Sequence, residues 1–131
     1  MPALIEARPK QLSLGPLERE ILEVLWDAGQ LTVREIHETL LVDPERELAY
    51  TTVTTILRRL EQKGWVCADR ALRSFRWEAV LNRERAQQIW AYEQFCSFVD
   101  CMTPEMLRAI APDLDPLRVE RFRAIAEQLQ A

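Results

Sequence analysis

The stretch AYTTVTTILRRLEQKGWV, from Ala49 to Val66, constrains this chain more than any other. Val53, Ile56, Leu57 and Leu60 recur at the spacing that puts them on one narrow face of an α-helix, and Gly64 stands where such a helix stops. Beyond Gly64 the period changes. The apolar residues of WVCAD and FRWEA alternate, which predicts a β-hairpin whose strands are joined by the polar segment RALRS. Thr51, Thr52, Thr54 and Thr55 crowd the first turns of the predicted helix. A branched Cβ and a competing hydroxyl cost each about 0.5 kcal/mol of helix propensity relative to alanine, or about 2 kcal/mol together.

Thr51, Thr52 and Thr55 gather with Arg58, Arg59 and Gln62 on the face opposite the apolar stripe. One reading is a solvated face, but such faces are ordinarily built from Glu, Lys, Gln or Ala, which cost the helix little. The other is a face that enters the major groove of DNA. A threonine hydroxyl can bond a phosphate or base edge, its methyl packs against thymine, and its shortness lets the backbone approach closely. Arginines one or two turns later reach guanine edges or phosphates.

The surrounding chain has the order that such a helix needs. LGPLEREILEVLWDAG places Leu17, Ile21, Val24 and Leu25 at helical spacing, with Pro16 in the first turn and Gly29 as the stop. In TVREIHETLL, Thr32 and Glu35 form a capping box for a second helix that buries Ile36 and Leu40. Helix, short helix, connection, exposed helix and hairpin is the layout of a winged helix-turn-helix module. Arg70 and Arg73 then sit at the wing tip, as grips on phosphate or minor groove or as solvated turn charges. Trp65 and Trp77 are expected to stabilise the wing.

After the hairpin, Asn82 caps a long helix carrying Ala86, Ile89, Tyr92, Cys96 and Val99 on one side. Thr103-Pro104 and Asp115-Pro116 each read as a cap followed by a first-turn proline. They start a short helix near 105–111 and a last one near 117–130, with Val119, Phe122, Ala126 and Leu129 on its buried side. The expected organisation is a flexible N-terminus over 1–11, a winged-helix domain over 12–81 and a helical domain over 82–131. The fold class is mainly α with a small β-hairpin wing.

The net charge of −4 does not advertise nucleic-acid binding, but its distribution does. Arg58, Arg59, Lys63, Arg70, Arg73 and Arg76 face only Glu61 and Asp69 between residues 58 and 76, while acids cluster in 18–27 and 43–47. No apolar run approaches the ~20 residues that span a bilayer, and MPALIEARPKQ lacks a signal-peptide core, so a cytoplasmic protein without membrane insertion is expected. Cys67, Cys96 and Cys101 fit no disulfide framework. Cys96 and Cys101 are five residues apart and diverge by about 140° on a helix, so they cannot chelate one metal together. Buried hydrophobe and redox sensor are the alternatives for them. His37, the single histidine, reads as a helix-boundary residue rather than a ligand. No phosphate loop, H-x-x-x-H or activated nucleophile is present, so no enzyme, cofactor or metal site is expected.

LGPLEREILEVLWDAGQLTVREI followed by ELAYTTVTTILRRLEQKGWV closely resembles the penicillinase repressor family (BlaI/MecI type), over roughly Leu12 to Val80. The resemblance implies a homodimer with an N-terminal DNA-binding domain, a C-terminal helical dimerisation domain and a palindromic operator of the TACA…TGTA kind. By position it implies DNA contacts from Thr51, Thr52, Thr55 and Arg59, with Arg58 beside them and the Tyr50 hydroxyl within reach of a phosphate. Leu117, Phe122, Ile125 and Leu129 are the candidate dimer interface, because one copy of these helices cannot hide its apolar faces. A membrane-bound sensor protease is the inducer pathway that the resemblance suggests. The Asn-Phe cleavage bond of antibiotic-responsive members is missing, since the single asparagine, Asn82, precedes Arg83. The paired C-x-C of copper-responsive relatives is also missing, which leaves the inducing signal open. A winged-helix adaptor for protein partners is the competing reading.

Overall fold

The computed structural model describes residues 8–71 and 73–130. In chain order its elements are α1 (Pro16–Ala28), β1 (Leu31–Thr32), α2 (Val33–Leu40), α3 (Tyr50–Lys63), β2 (Val66–Asp69), β3 (Arg76–Ala79), α4 (Arg83–Cys101), α5 (Pro104–Ile110), a 3-10 turn (Ala111–Asp113) and α6 (Pro116–Gln128). The chain divides between Glu93 and Gln94 into two compact units. That division falls later than the boundary read near Leu81, because the first half of α4 buries Ala86 and Ile89 in the first unit.

In the first unit, Pro16 opens α1 and Gly29 closes it with φ of 90°. The helix buries Ile21, Leu22 and Leu25, whereas Leu17 and Val24, expected on the same stripe, are only half-buried. The capping box of α2 is present: the Thr32 hydroxyl accepts from the Glu35 amide at 3.2 Å, and the Glu35 carboxylate accepts from the Thr32 amide at 3.1 Å. Helix α3 buries Val53, Leu57 and Leu60 completely and keeps Ile56 at the edge of the same core. The wing forms a three-stranded antiparallel sheet in the order β1-β3-β2. Leu31 pairs with Trp77, and Ala68 faces Trp77 from the other side. Strand β1 has two residues, too few to show an alternation, and only its pairing with β3 defines it.

Trp65 and Trp77 brace the wing as expected, with 0% and 2% of their surfaces exposed. The Trp65 ring lies 5.2 Å from that of Trp90 on α4, and Trp90 meets Trp26 of α1 edge-on at 6.1 Å. Burying each such ring stabilises the fold by about 2–3 kcal/mol.

Of the N-terminus expected to be flexible, residues 1–7 lie outside the described residues, and residues 8–11 are seated. Pro9 is buried, the Gln11 amide donates to the Lys63 carbonyl at 3.3 Å, and the Trp65 indole donates to the Gln11 carbonyl at 2.8 Å. The Lys63 ammonium adds a bond of 2.8 Å to the Ser13 carbonyl and lies 2.8 Å from the Glu18 carboxylate, which is nearly buried. Residues 9–13 thus form a strap across the C-terminal end of α3.

The second unit comprises the rest of α4, α5, the 3-10 turn and α6. Asn82, Thr103 and Asp115 cap their helices through side-chain oxygens, and Pro104 and Pro116 occupy first turns, all as the sequence predicts. Phe98 of α4 packs on Phe122 of α6 at 5.8 Å. The expected buried side of the last helix is not buried. Val119, Phe122 and Leu129 are 36%, 52% and 74% exposed, and no residue of α6 is fully covered. Two short helices and one half-helix supply too little surface to close over them.

Gly64 caps α3 in the left-handed conformation with φ of 89°, and a Cβ there would lie 3.3 Å from the Lys10 amide nitrogen. Gly64→Ala is expected to destabilise the protein by about 1–2 kcal/mol through backbone strain and displacement of the strap. Urea unfolding checks this: the midpoint falls while the slope stays constant.

Candidate nucleic-acid interface

Ala49, at the cap position before α3, provides no side-chain cap, so contacts from outside the helix fix where it starts. In the preceding connection, Arg46 makes a bidentate pair with Glu20 of α1, both bonds 2.8 Å, and also reaches the Leu40 carbonyl at 3.4 Å. Two residues on, the Leu48 carbonyl lies 2.6 Å from Nε2 of His37 on α2. At the other end, Gly64, Lys63 and the strap hold the last turn. The exposed face between these anchors is the candidate interface.

The structure sorts the threonines. Thr51, Thr52 and Thr55 are exposed, as expected, and Thr54 is half-buried. The Thr55 hydroxyl donates to the Thr51 carbonyl at 3.0 Å and that of Thr54 to the Tyr50 carbonyl at 3.3 Å. A hydroxyl turned back onto its own helix leaves the methyl group outward. Thr55 therefore presents an apolar surface suited to a thymine methyl, whereas the Thr51 and Thr52 hydroxyls have no partner among the described residues.

The arginines are sorted as well. Arg58 and Arg59 are exposed, and neither has an ion pair among the described residues. Arg73 at the wing tip is in the same state. Arg70 is not: its guanidinium donates to Glu61 of α3 at 2.8 Å and lies over the rings of Phe75 and Trp77, at 5.3 and 5.8 Å. Read at the wing tip as a grip on phosphate or minor groove or as a solvated turn charge, Arg70 ties the wing to α3. Its charge is committed to a carboxylate nine residues away in sequence.

Tyr50 is 49% exposed at the first turn of α3 and meets the His37 ring edge-on, centroids 5.8 Å apart. It shares an open cleft of about 420 Å³ with Thr32, Thr54, Arg73, Ser74 and Phe75. Of the eight residues that line it, only Tyr50 and Arg73 were singled out as site residues in the sequence, and His37 beside it was not. Nothing local marks the others, since the cleft is closed by elements distant along the chain.

On the wing, Cys67 is exposed, with Sγ 3.7 Å from a Glu78 oxygen. Partial burial and the Glu78 charge push its thiol pKa up, which disfavours the reactive thiolate. Among the described residues no cluster of His, Cys, Asp and Glu could hold a metal ion, and no helix is long and apolar enough to cross a membrane.

Compared with known proteins, residues 14–131 match the family described as penicillinase repressor. A protein named transcriptional regulator BlaI, from two strains of Mycobacterium tuberculosis, is 42% identical over 76 residues, covering 57% of this chain and 54% of the relative. An uncharacterised 16.5 kDa protein of Latilactobacillus sakei is 27% identical over 71 residues, covering 54% of this chain and 47% of the relative. The chain thus spans about half the length of the curated relatives it matches.

The Glu20–Arg46 clip gives a pH signature. Hydrogen bonding from Arg46 holds the Glu20 carboxyl below its ordinary pKa. A carboxyl depressed in the folded state stabilises above its unfolded pKa, about 4, and loses that contribution as pH falls through the folded value. Glu20→Gln is therefore expected to lower the melting temperature at neutral pH, with the deficit shrinking in increasingly acidic buffer. Paired melts of the two proteins across pH check this, and a deficit independent of pH contradicts it.

Proposed function

The chain belongs to the penicillinase repressor family, and on that premise we propose that it is a homodimeric transcriptional repressor that docks α3 in the major groove of a palindromic operator of the TACA…TGTA kind. The observation that carries this reading is the exposed edge of α3, where Arg58 and Arg59 have no ion pair among the described residues. In a chain of net charge −4, acids neutralise Arg46, Arg70, Arg76 and Arg83, while among the described residues Arg58 and Arg59 stand uncompensated side by side on α3 and Arg73 does so on the wing. An unpaired guanidinium on a rigid helix is preorganised for phosphate or a guanine edge.

In this reading Thr51 and Thr52 bond the DNA, Thr55 packs its methyl against a base, and Tyr50 and Arg73 hold backbone phosphate. Arg70 acts from behind by setting the angle of the wing. Two protomers pair through Leu117, Phe122, Ile125 and Leu129, which are 81%, 52%, 55% and 74% exposed in one chain. Pairing places two recognition helices about one DNA turn apart and combines the affinities of two half-sites. Repression is then occlusion of a promoter in the cytoplasm, and a membrane-bound sensor protease is a partner for relieving it.

The test is fluorescence anisotropy on a TACA…TGTA duplex and a scrambled one, each at two salt concentrations. The expected result is tighter binding of the palindrome by one dimer, weakening with salt as several phosphate contacts require. Arg59→Ala should lower operator affinity by about tenfold, in line with ~1–3 kcal/mol for a specific arginine contact, and leave the dimer intact by sedimentation. Binding that is weak, equal on both duplexes and insensitive to salt overturns the reading in favour of a winged-helix adaptor for protein partners.

A further inference from the structure

Helix α3 starts without a side-chain cap, and an imidazole from another element lies against its first turn. His37, half-buried on α2, has Nε2 2.6 Å from the Leu48 carbonyl oxygen, and its ring stands nearly perpendicular to that of Tyr50, at 83° and 5.8 Å between centroids. A carbonyl only accepts, so Nε2 carries the proton and donates it. One side chain thereby fixes two things: the backbone one residue before the Ala49 cap position, and the ring of the first helical residue.

The rest of the first turn cannot do this work. Tyr50 is about half exposed, and its ring borders an open cleft rather than a packed core. Arg46 pins the connection further upstream, to Glu20, and does not reach the tyrosine. Without the imidazole the Leu48 carbonyl would lose its donor and the Tyr50 ring would regain rotamer freedom, which an incoming phosphate would then have to remove.

We propose that His37 is a positioning residue for DNA recognition, which through Leu48 and Tyr50 sets the start of α3 and aims the phenol at the cleft shared with Arg73. The inference rests on the DNA-docking reading above and adds a residue that touches no DNA itself. It predicts that the effect of His37 passes through Tyr50 and that a side chain with a donor at the same reach restores it. Glutamine places an amide nitrogen near the position of Nε2; leucine fills similar volume with no donor.

The experiment measures the affinity of the full-length protein for a duplex that the wild-type protein selects from a random pool, beside melting temperature and sedimentation. His37→Leu is expected to weaken binding about tenfold, equivalent to about 1.4 kcal/mol, with the dimer intact, and His37→Gln to recover most of the loss. In a Tyr50→Ala background, His37→Leu should add little, because the pair acts as a unit. Wild-type affinity in His37→Leu, a loss in His37→Gln as large as in His37→Leu, or full additivity with Tyr50→Ala each overturns the assignment while leaving the repressor reading in place. A wild-type protein that selects no duplex overturns both.

Discussion

Trp65 is the point at which the first unit is tied together. Its ring is fully buried beside Trp90, its indole N–H bonds the carbonyl of Gln11 in the strap, its amide bonds Leu60 of α3, and its carbonyl receives the amide of Val80 after the wing. A side chain of this size fills space that no other residue can close, and the polar tip finds a partner that the strap alone provides. The strap in turn passes close to Gly64, where a Cβ would lie 3.3 Å from the Lys10 amide nitrogen. Helix, wing, strap and the start of α4 therefore meet at one packed indole.

Around that centre the charges are arranged by subtraction. Arg83 is held by Glu23 and Asp27 at 2.7 Å, Arg46 by Glu20, Lys63 by Glu18 and Arg70 by Glu61. The exposed pairs among these, unlike the largely buried Lys63–Glu18, contribute little stability each. Their larger effect is on the electrostatic surface, since each removes a cation from competition for an anionic partner. What is left uncompensated on α3 is a short basic edge, which in the docking reading gives an acidic protein a place for a nucleic-acid partner.

Much of the fold was legible because it is local. The apolar stripe of α3, the Thr32–Glu35 box, the prolines at 16, 104 and 116 and the alternation after Gly64 all act over a few residues, and each is present in the structure. The features that escaped are made by distant residues. Arg46 meets Glu20 across 26 positions and Trp65 meets Gln11 across 54, and neither residue type nor spacing announces such a pair. The exposed threonines and Arg58, Arg59 and Arg73 were legible as surface, because burial follows period; that Arg70 is spoken for by Glu61 was not, because a charge in a turn looks the same paired or free. In the last helix the sequence period marked an apolar face correctly and the structure leaves that face open.

The alanine at position 49 has a consequence for how this protein can be improved. A serine or aspartate there would cap α3 and stabilise the fold by about 1 kcal/mol, the kind of change that selection for thermal resistance finds readily. In the docking reading it would also fill the space above the first-turn amides, and aspartate would set a negative charge where a phosphate is to arrive. In that reading robustness and recognition compete for a single side chain, and an alanine at the cap position favours recognition.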